Sequence, residues 1–90
     1  MDFNNQKPIF LQIYDLILER TLKHELIGGE RIASVREMAS TMLVNPNTVQ
    51  RAYTELQNKG ILTQQRGIGY FLTSDVRNIA LNIRKDEFMQ

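Results

Sequence analysis

The sequence contains no cysteine and a single histidine, His24. Disulfide frameworks, thiolate nucleophiles and Cys/His zinc sites are thereby excluded. No window approaches the roughly 20 apolar residues of a membrane span. The start of the chain, Met1 to Lys7, is polar and carries Asp2, so it lacks the basic and then apolar pattern of a secretory signal. A cytoplasmic location is expected. An excess of charge of either sign is lacking too, since 11 Lys and Arg against 10 Asp and Glu leave a net +1. That excludes a polybasic tail or an acidic solvating chain, and composition alone points to no polyanion. No paired base and nucleophile, metal-ligand cluster or P-loop spacing is present, so neither enzyme chemistry nor a metal or cofactor is expected.

What the chain does have is enough apolar material, 42% of 90 residues, to bury one small core. From Pro8, a residue suited to the first position of a helix, Phe10, Ile13, Leu16 and Ile17 recur at three- and four-residue spacing, with Leu22 beyond. One long amphipathic helix ended by Gly28-Gly29 is predicted. Ser34 followed by Glu37 is the capping-box pattern for a second helix, about ten residues long, carrying Val35, Met38, Ala39 and Met42 and stopping near Leu43. Asn45-Pro46 opens a third helix, in which Val49, Ala52, Tyr53 and Leu56 face one way, Lys59 lies in the last turn and Gly60 supplies the stop. Two short helices joined this tightly must cross steeply, which is a helix-turn-helix unit.

After Gly60 the period changes to two. Ile61 to Gln65 reads as a strand, Arg66 to Gly69 as a turn and Tyr70 to Thr73 as the returning strand. Ser74-Asp75 then caps a last helix with Val76, Ile79, Ala80 and Ile83 on one stripe. The predicted fold is mainly α with a small β-hairpin: a winged helix-turn-helix over residues 1–73, then a C-terminal helix over 74–90.

On an ideal wheel the third helix turns Asn47, Arg51, Thr54 and Asn58 away from the core, with Gln50 at the edge. Amide, guanidinium and hydroxyl groups match the donors and acceptors of base edges in the major groove, and the start of such a helix makes those contacts. Asn45, Asn47, Thr48 and Gln50 are the best-placed readers, and free backbone N–H groups there suit a phosphate. Each has a plainer competing role. Asn45 also fits an N-cap. Arg51 also fits an ion-pair ladder with Glu55 and Lys59. Arg36, a cation at the positive end of the second helix, fits a phosphate ligand or a pair with Glu37 or Asp75. Arg66, Gly67 and Gly69 fit a wing reaching DNA or merely a tight turn. His24 reads as a surface or helix-end residue, and Phe10, Tyr53, Tyr70 and Phe71 as packing.

The strings "PIFLQIYDLI", "GGERIASVREMAS" and "LVNPNTVQRAYTELQNKGILTQQRGIGYFL" resemble, from about Pro8 to Leu72, the DNA-binding domain of GntR-type bacterial transcription regulators. "VNPNTVQRAY" is most similar to the YtrA-like branch. The resemblance implies DNA contacts at Arg36, at Asn45, Pro46, Asn47, Thr48 and Gln50, and at Arg66 and Gly67 of the wing. Pro46 and Gln50 stand where family members often have arginine, so base preference does not carry over. Ala33 replaces a usual proline and His24 a usual glycine. Family members dimerise, and many sense a small molecule, through a C-terminal region. Here only Ser74 to Gln90 is available, either a minimal region or part of a longer one, too short for an effector pocket. Dimerisation through Val76, Ile79 and Ile83 is expected, with packing of that stripe onto the first helix as the alternative.

The expected function is therefore a sequence-specific, double-stranded-DNA-binding transcription regulator, a repressor acting as a homodimer on an inverted repeat. Arg36, Arg51, Lys59 and Arg66 would meet phosphates. Five basic and three acidic residues between Glu30 and Arg66 make a thin electrostatic footprint, implying weak non-specific binding and dependence on dimerisation. The rival reading is a winged helix used as a protein-interaction module. Near-neutral charge favours it; a row of amides, where interface centres favour aromatic anchors, argues against it.

Overall fold

The computed structural model describes residues 7–88, Phe88 by its backbone alone. The expectations for residues 1–6 and for the last two residues of the chain lie outside this range. The order of elements is α1 (Ile9–Leu22), α2 (Val35–Met42), α3 (Pro46–Asn58), β1 (Leu62–Gln65), β2 (Gly69–Leu72) and α4 (Val76–Phe88). Helix α1 lies at the centre, packed on both α3 and α4. Its buried residues are therefore Ile13, Tyr14, Ile17, Leu18 and Thr21, a wider face than the single stripe that periodicity indicates. Leu16, placed on that stripe by the sequence, is only half-buried and lines a groove between α1 and the end of α2.

The helix starts follow the local chemistry of the chain. At α2 the Ser34 hydroxyl accepts from the Glu37 N–H at 3.1 Å, and the Glu37 carboxylate accepts from the Ser34 N–H at 2.9 Å. At α3 the Asn45 side-chain oxygen accepts from the Asn47 N–H at 2.8 Å, with Pro46 at the first helical position.

The helix ends hold the main departure from the sequence reading. Helix α1 stops at Leu22, well before Gly28-Gly29. His24 takes a left-handed conformation at φ 62°, and the N–H groups of His24 and Glu25 reach back to the carbonyls of Thr21 and Arg20. Leu43 does the same for α2 at φ 57°, and Gly60 for α3 at φ 83°. In both, the next residue's N–H, of Val44 or Ile61, closes on a carbonyl five residues back. Three consecutive helices thus end in one backbone motif, and only α3 uses the residue that enters it without strain. Gly28 has a different task. A Cβ there would lie 2.4 Å from the Ser74 carbonyl oxygen, so the chain after α1 can pass the entrance to α4 only without a side chain.

That passage leads into the wing. Strands β1 and β2 pair antiparallel, Leu62 with Leu72 and Gln65 with Gly69. The segment around Arg31 adds a third line of pairing through an isolated bridge to Phe71 and an Ile32 N–H bond to the Tyr70 carbonyl at 3.0 Å. Leu62, Tyr70 and Leu72 join the core formed by α1, Ala39 of α2 and Val49, Ala52, Tyr53 and Leu56 of α3.

The C-terminal stripe turns inward. Val76 is 2% and Ala80 0% exposed in that same core, and Ile79 and Ile83 are half-buried against it. Packing onto the first helix, the alternative to a dimer surface, accounts for Val76, which is withdrawn from any partner surface in this fold.

Two outcomes follow from the caps. His24→Gly and Leu43→Gly are each expected to raise stability by roughly 0.5–1 kcal/mol, left-handed strain relieved outweighing the entropy that glycine adds to the unfolded chain. Gly60→Ala, where a Cβ meets only ordinary contacts with Ile79, is expected to lower it by about 1 kcal/mol through φ alone. Urea midpoints decide, and no change in any of the three contradicts the strain assigned here. The second outcome concerns pH. Hydrogen bonds from Ser34 hold the Glu37 carboxyl below the usual range, assisted by the Arg31 charge. Its stabilisation is therefore complete above the unfolded value of about 4.3 and fades as pH falls through the lower folded value. Ser34→Ala, which removes the cap acceptor but keeps the backbone N–H, is expected to cost about 1 kcal/mol at neutral pH, and Glu37→Gln, which removes the titrating group, to flatten this acid dependence. Parallel pH profiles of midpoint for Glu37→Gln and the unaltered protein would contradict it.

Candidate nucleic-acid interface

Helix α3 presents its first turn at the surface because its other face is fully committed. Val49, Ala52, Tyr53 and Leu56 are each 0% exposed. Pro46, Asn47, Gln50, Arg51 and Thr54 are exposed, and Thr48 is half-buried. Two shallow clefts flank the start of the helix. Arg36, Ala39, Ser40, Val44 and Pro46 line one. Pro8, Ile9, Phe10, Asn47, Thr48 and Arg51 line the other. Arg36 from α2 and Arg51 from α3 thus stand on either side of the helix start.

Among the described residues, none of Arg36, Arg51, Lys59 and Arg66 is held in an ion pair; the pairs present are Lys7–Asp15, Glu19–Lys23 and Arg84–Glu87. The ladder that would have tied Arg51 to Glu55 is not formed, nor is a pair of Arg36 with Glu37 or Asp75. Glu37 serves the α2 cap, and Asp75 accepts from the Asn78 amide at 2.9 Å. Arg51 instead lies over the Phe10 ring, 3.9 Å from its centroid. A guanidinium held over an aromatic face still has N–H groups to offer an oxyanion. Asn45 caps α3 through its side-chain oxygen, which is one of the two roles open from the sequence.

The wing is joined to this surface. Arg66, Gly67 and Ile68 form its exposed tip, with Gly67 at φ 75°. At its base Tyr70 packs edge-on against Tyr53, centroids 5.0 Å apart at 77°. The Tyr53 hydroxyl donates to the Ala33 carbonyl at 2.6 Å. Burial, with Tyr70 and Glu37 nearby, pushes the Tyr53 hydroxyl well above its ordinary value, so it is a protonated donor at neutral pH. Gln50, which had no structural duty evident from the sequence, donates its amide to the Tyr70 hydroxyl at 3.1 Å.

A family model, that of the bacterial regulatory proteins of the gntR family, matches residues 10–72. The chain belongs to the GntR family. It is 49% identical over 70 residues to the HTH-type transcriptional regulator YhcF of Bacillus subtilis, covering 78% of this chain and 58% of that one. To the HTH-type transcriptional repressor YtrA of the same organism it is 36% identical over 77 residues, 86% of this chain and 59% of that one. The chain therefore spans about three fifths of the length of these curated relatives. A GntR family transcriptional regulator from Listeria monocytogenes superposes with a TM-score of 0.86 at 36% identity, over 97% of this chain and 79% of that one. YtrA from Sulfolobus acidocaldarius gives 0.78 at 33%, over 99% and 80%. The fold is the winged helix of GntR regulators, and its kinship runs through the YtrA-like members.

Within this GntR fold the structure adds three residues that sequence reasoning passed over. Phe10 and Tyr70 were assigned to packing, yet each also holds a polar group of the exposed face. Arg31 lies across the base of the wing, where a Cβ on Gly69 would come within 2.8 Å of its Nε. Only its place one residue before buried Ile32 could have signalled an outward side chain. Among the described residues no group of His, Asp or Glu is placed to hold a metal ion, and no helix is long and apolar enough to cross a membrane.

The Phe10–Arg51 stack yields a direct test. In a double-mutant cycle with Phe10→Leu and Arg51→Met, a coupling of roughly 0.5–1 kcal/mol is expected from unfolding free energies. Additive losses would show that the two side chains meet without interacting.

Proposed function

We propose that this chain is the reading head of a sequence-specific, double-stranded-DNA-binding transcription regulator with no enzymatic role. The observation that carries the proposal is the exposed first turn of α3, with Asn47, Thr48 and Gln50 between the unpaired cations Arg36 and Arg51. Asn47 and Gln50 supply the amides that read base edges, and Thr48 a hydroxyl. Pro46 and the cap at Asn45 place the helix start. Pro46 has no N–H and those of Asn47, Thr48 and Val49 are bonded to Asn45, so phosphates are met by Arg36 and Arg51 beside the helix start and by Lys59 at the far end of α3. Arg66 and Gly67 extend the contact through the wing. Cytoplasmic action follows from such a partner.

The same proposal includes a homodimer on an inverted repeat. A single head with this thin positive footprint binds weakly, and two heads on one site multiply their affinities. Ile79 and Ile83, half-buried on α4, remain the residues through which the described segment reaches a second copy, with Val76 committed to the core. Repression is the sign of regulation we favour, on the strength of the similarity to the repressor YtrA.

Selection of the protein against a random duplex library at two salt concentrations tests the reading. An enriched inverted repeat with half-sites about one helical turn apart, bound more weakly as salt rises, is expected. Asn47→Ala should then cost roughly 1–3 kcal/mol at the selected site and relax preference at one position, whereas Arg66→Ala should weaken all duplexes evenly. No enrichment by the folded protein would contradict the proposal and favour a protein-interaction module. A salt-independent affinity would remove the phosphate roles.

A further inference from the structure

We propose that Tyr70 is a positioning residue that sets base preference through Gln50, by fixing which edge of the Gln50 amide faces the duplex. The inference rests on the reading of α3 given above and deepens it. A glutamine free to rotate can meet adenine with two bonds at once, its oxygen accepting from N6 and its nitrogen donating to N7. Gln50 is not free in that way. Its Nε2 donates to the Tyr70 hydroxyl at 3.1 Å and lies 3.5 Å from the Thr54 hydroxyl. The amide nitrogen is thus turned to Tyr70 and Thr54 within the protein, and the carbonyl oxygen is the part left over.

The Tyr70 hydroxyl is held in place through its ring and its strand. The ring is buried, packs edge-on against Tyr53 and stands on β2, whose neighbour Ile32 bonds to the Tyr70 carbonyl. Gln50 therefore offers DNA an acceptor alone. An acceptor matches the exocyclic amino groups of adenine and cytosine and finds nothing on guanine or thymine in the major groove. The wing, by this route, shapes what the third helix reads without touching a base itself.

Four proteins are compared in selection from a random duplex library: the full chain, Tyr70→Phe, Gln50→Met and the double variant. The unaltered chain is expected to select adenine or cytosine at one position of each half-site, and Gln50→Met to erase that preference. Tyr70→Phe frees the amide and should move the adenine-to-cytosine ratio there towards adenine by about fivefold or more, the lower end of what one bidentate base contact contributes. It should add nothing in the Gln50→Met background. Gln50→Glu is a second check that does not touch the wing. A carboxylate of the same length still accepts but cannot donate to adenine N7, so preference for an amino-bearing base should survive the lower overall affinity. An even loss of affinity with an unchanged motif in Tyr70→Phe would reduce Tyr70 to packing and overturn the inference, as would loss of the preference in Gln50→Glu. If the unaltered chain selects a motif and these shifts are absent, only the inference fails. No motif from the folded chain overturns the reading of α3 and this inference with it.

Discussion

The buried hydroxyl of Tyr53 is the constraint on which the arrangement of the surface depends. Its ring sits in the core on α3, its oxygen donates to the Ala33 carbonyl just before α2, and it forms a T-shaped pair with Tyr70 of the wing. Both partners are distant in sequence, Ala33 by 20 residues. One side chain therefore fixes the start of α2, and with it Arg36, and the base of the wing, and with it Gln50, relative to the same helix. A polar group this deeply buried must keep its bond, because an unpaired one costs about 1–3 kcal/mol. The exposed face of α3 is positioned from its buried face.

Legibility in the sequence followed the range of the interaction. Ser34 with Glu37 and Asn45 with Pro46 are read within three residues, and both caps form as their spacing indicates. Gly60 ends α3 for the reason glycine does so anywhere, and the switch of period after it marks the hairpin. The end of α1 was not legible, because the left-handed position is taken by His24 and the glycines farther on attract the assignment instead. Glycine at 28 reflects the crowded passage beside Ser74, a contact visible only in three dimensions, and glycine at 29 a left-handed backbone at φ 87°.

The candidate site divides along the same line. Which residues of α3 face outward followed from the wheel, since the core of one face settles the other. What those side chains touch did not. Arg51 has Glu55 one turn away and chooses the ring of Phe10, from another helix, because an aromatic face offers a guanidinium more than a screened surface carboxylate does. Gln50 and Tyr70 are 20 residues apart and meet only because the wing folds onto the helix. The stripe on α4 shows a further ambiguity: periodicity reveals an apolar side, and only packing reveals that Val76 and Ala80 meet α1's own core.

The central claim is that the first turn of α3 and the wing tip, and not the apolar groove between α1 and α2, form the surface that meets DNA. The most direct measurement is a titration of the isotopically labelled chain with a duplex recovered by selection, followed through backbone amide shifts. The largest changes are expected at Asn47, Thr48, Gln50, Arg66 and Gly67, with Arg36 also moving and Leu16, Glu19 and Met42 of the groove unmoved. Changes concentrated at the groove, with α3 and the wing silent, would contradict the account.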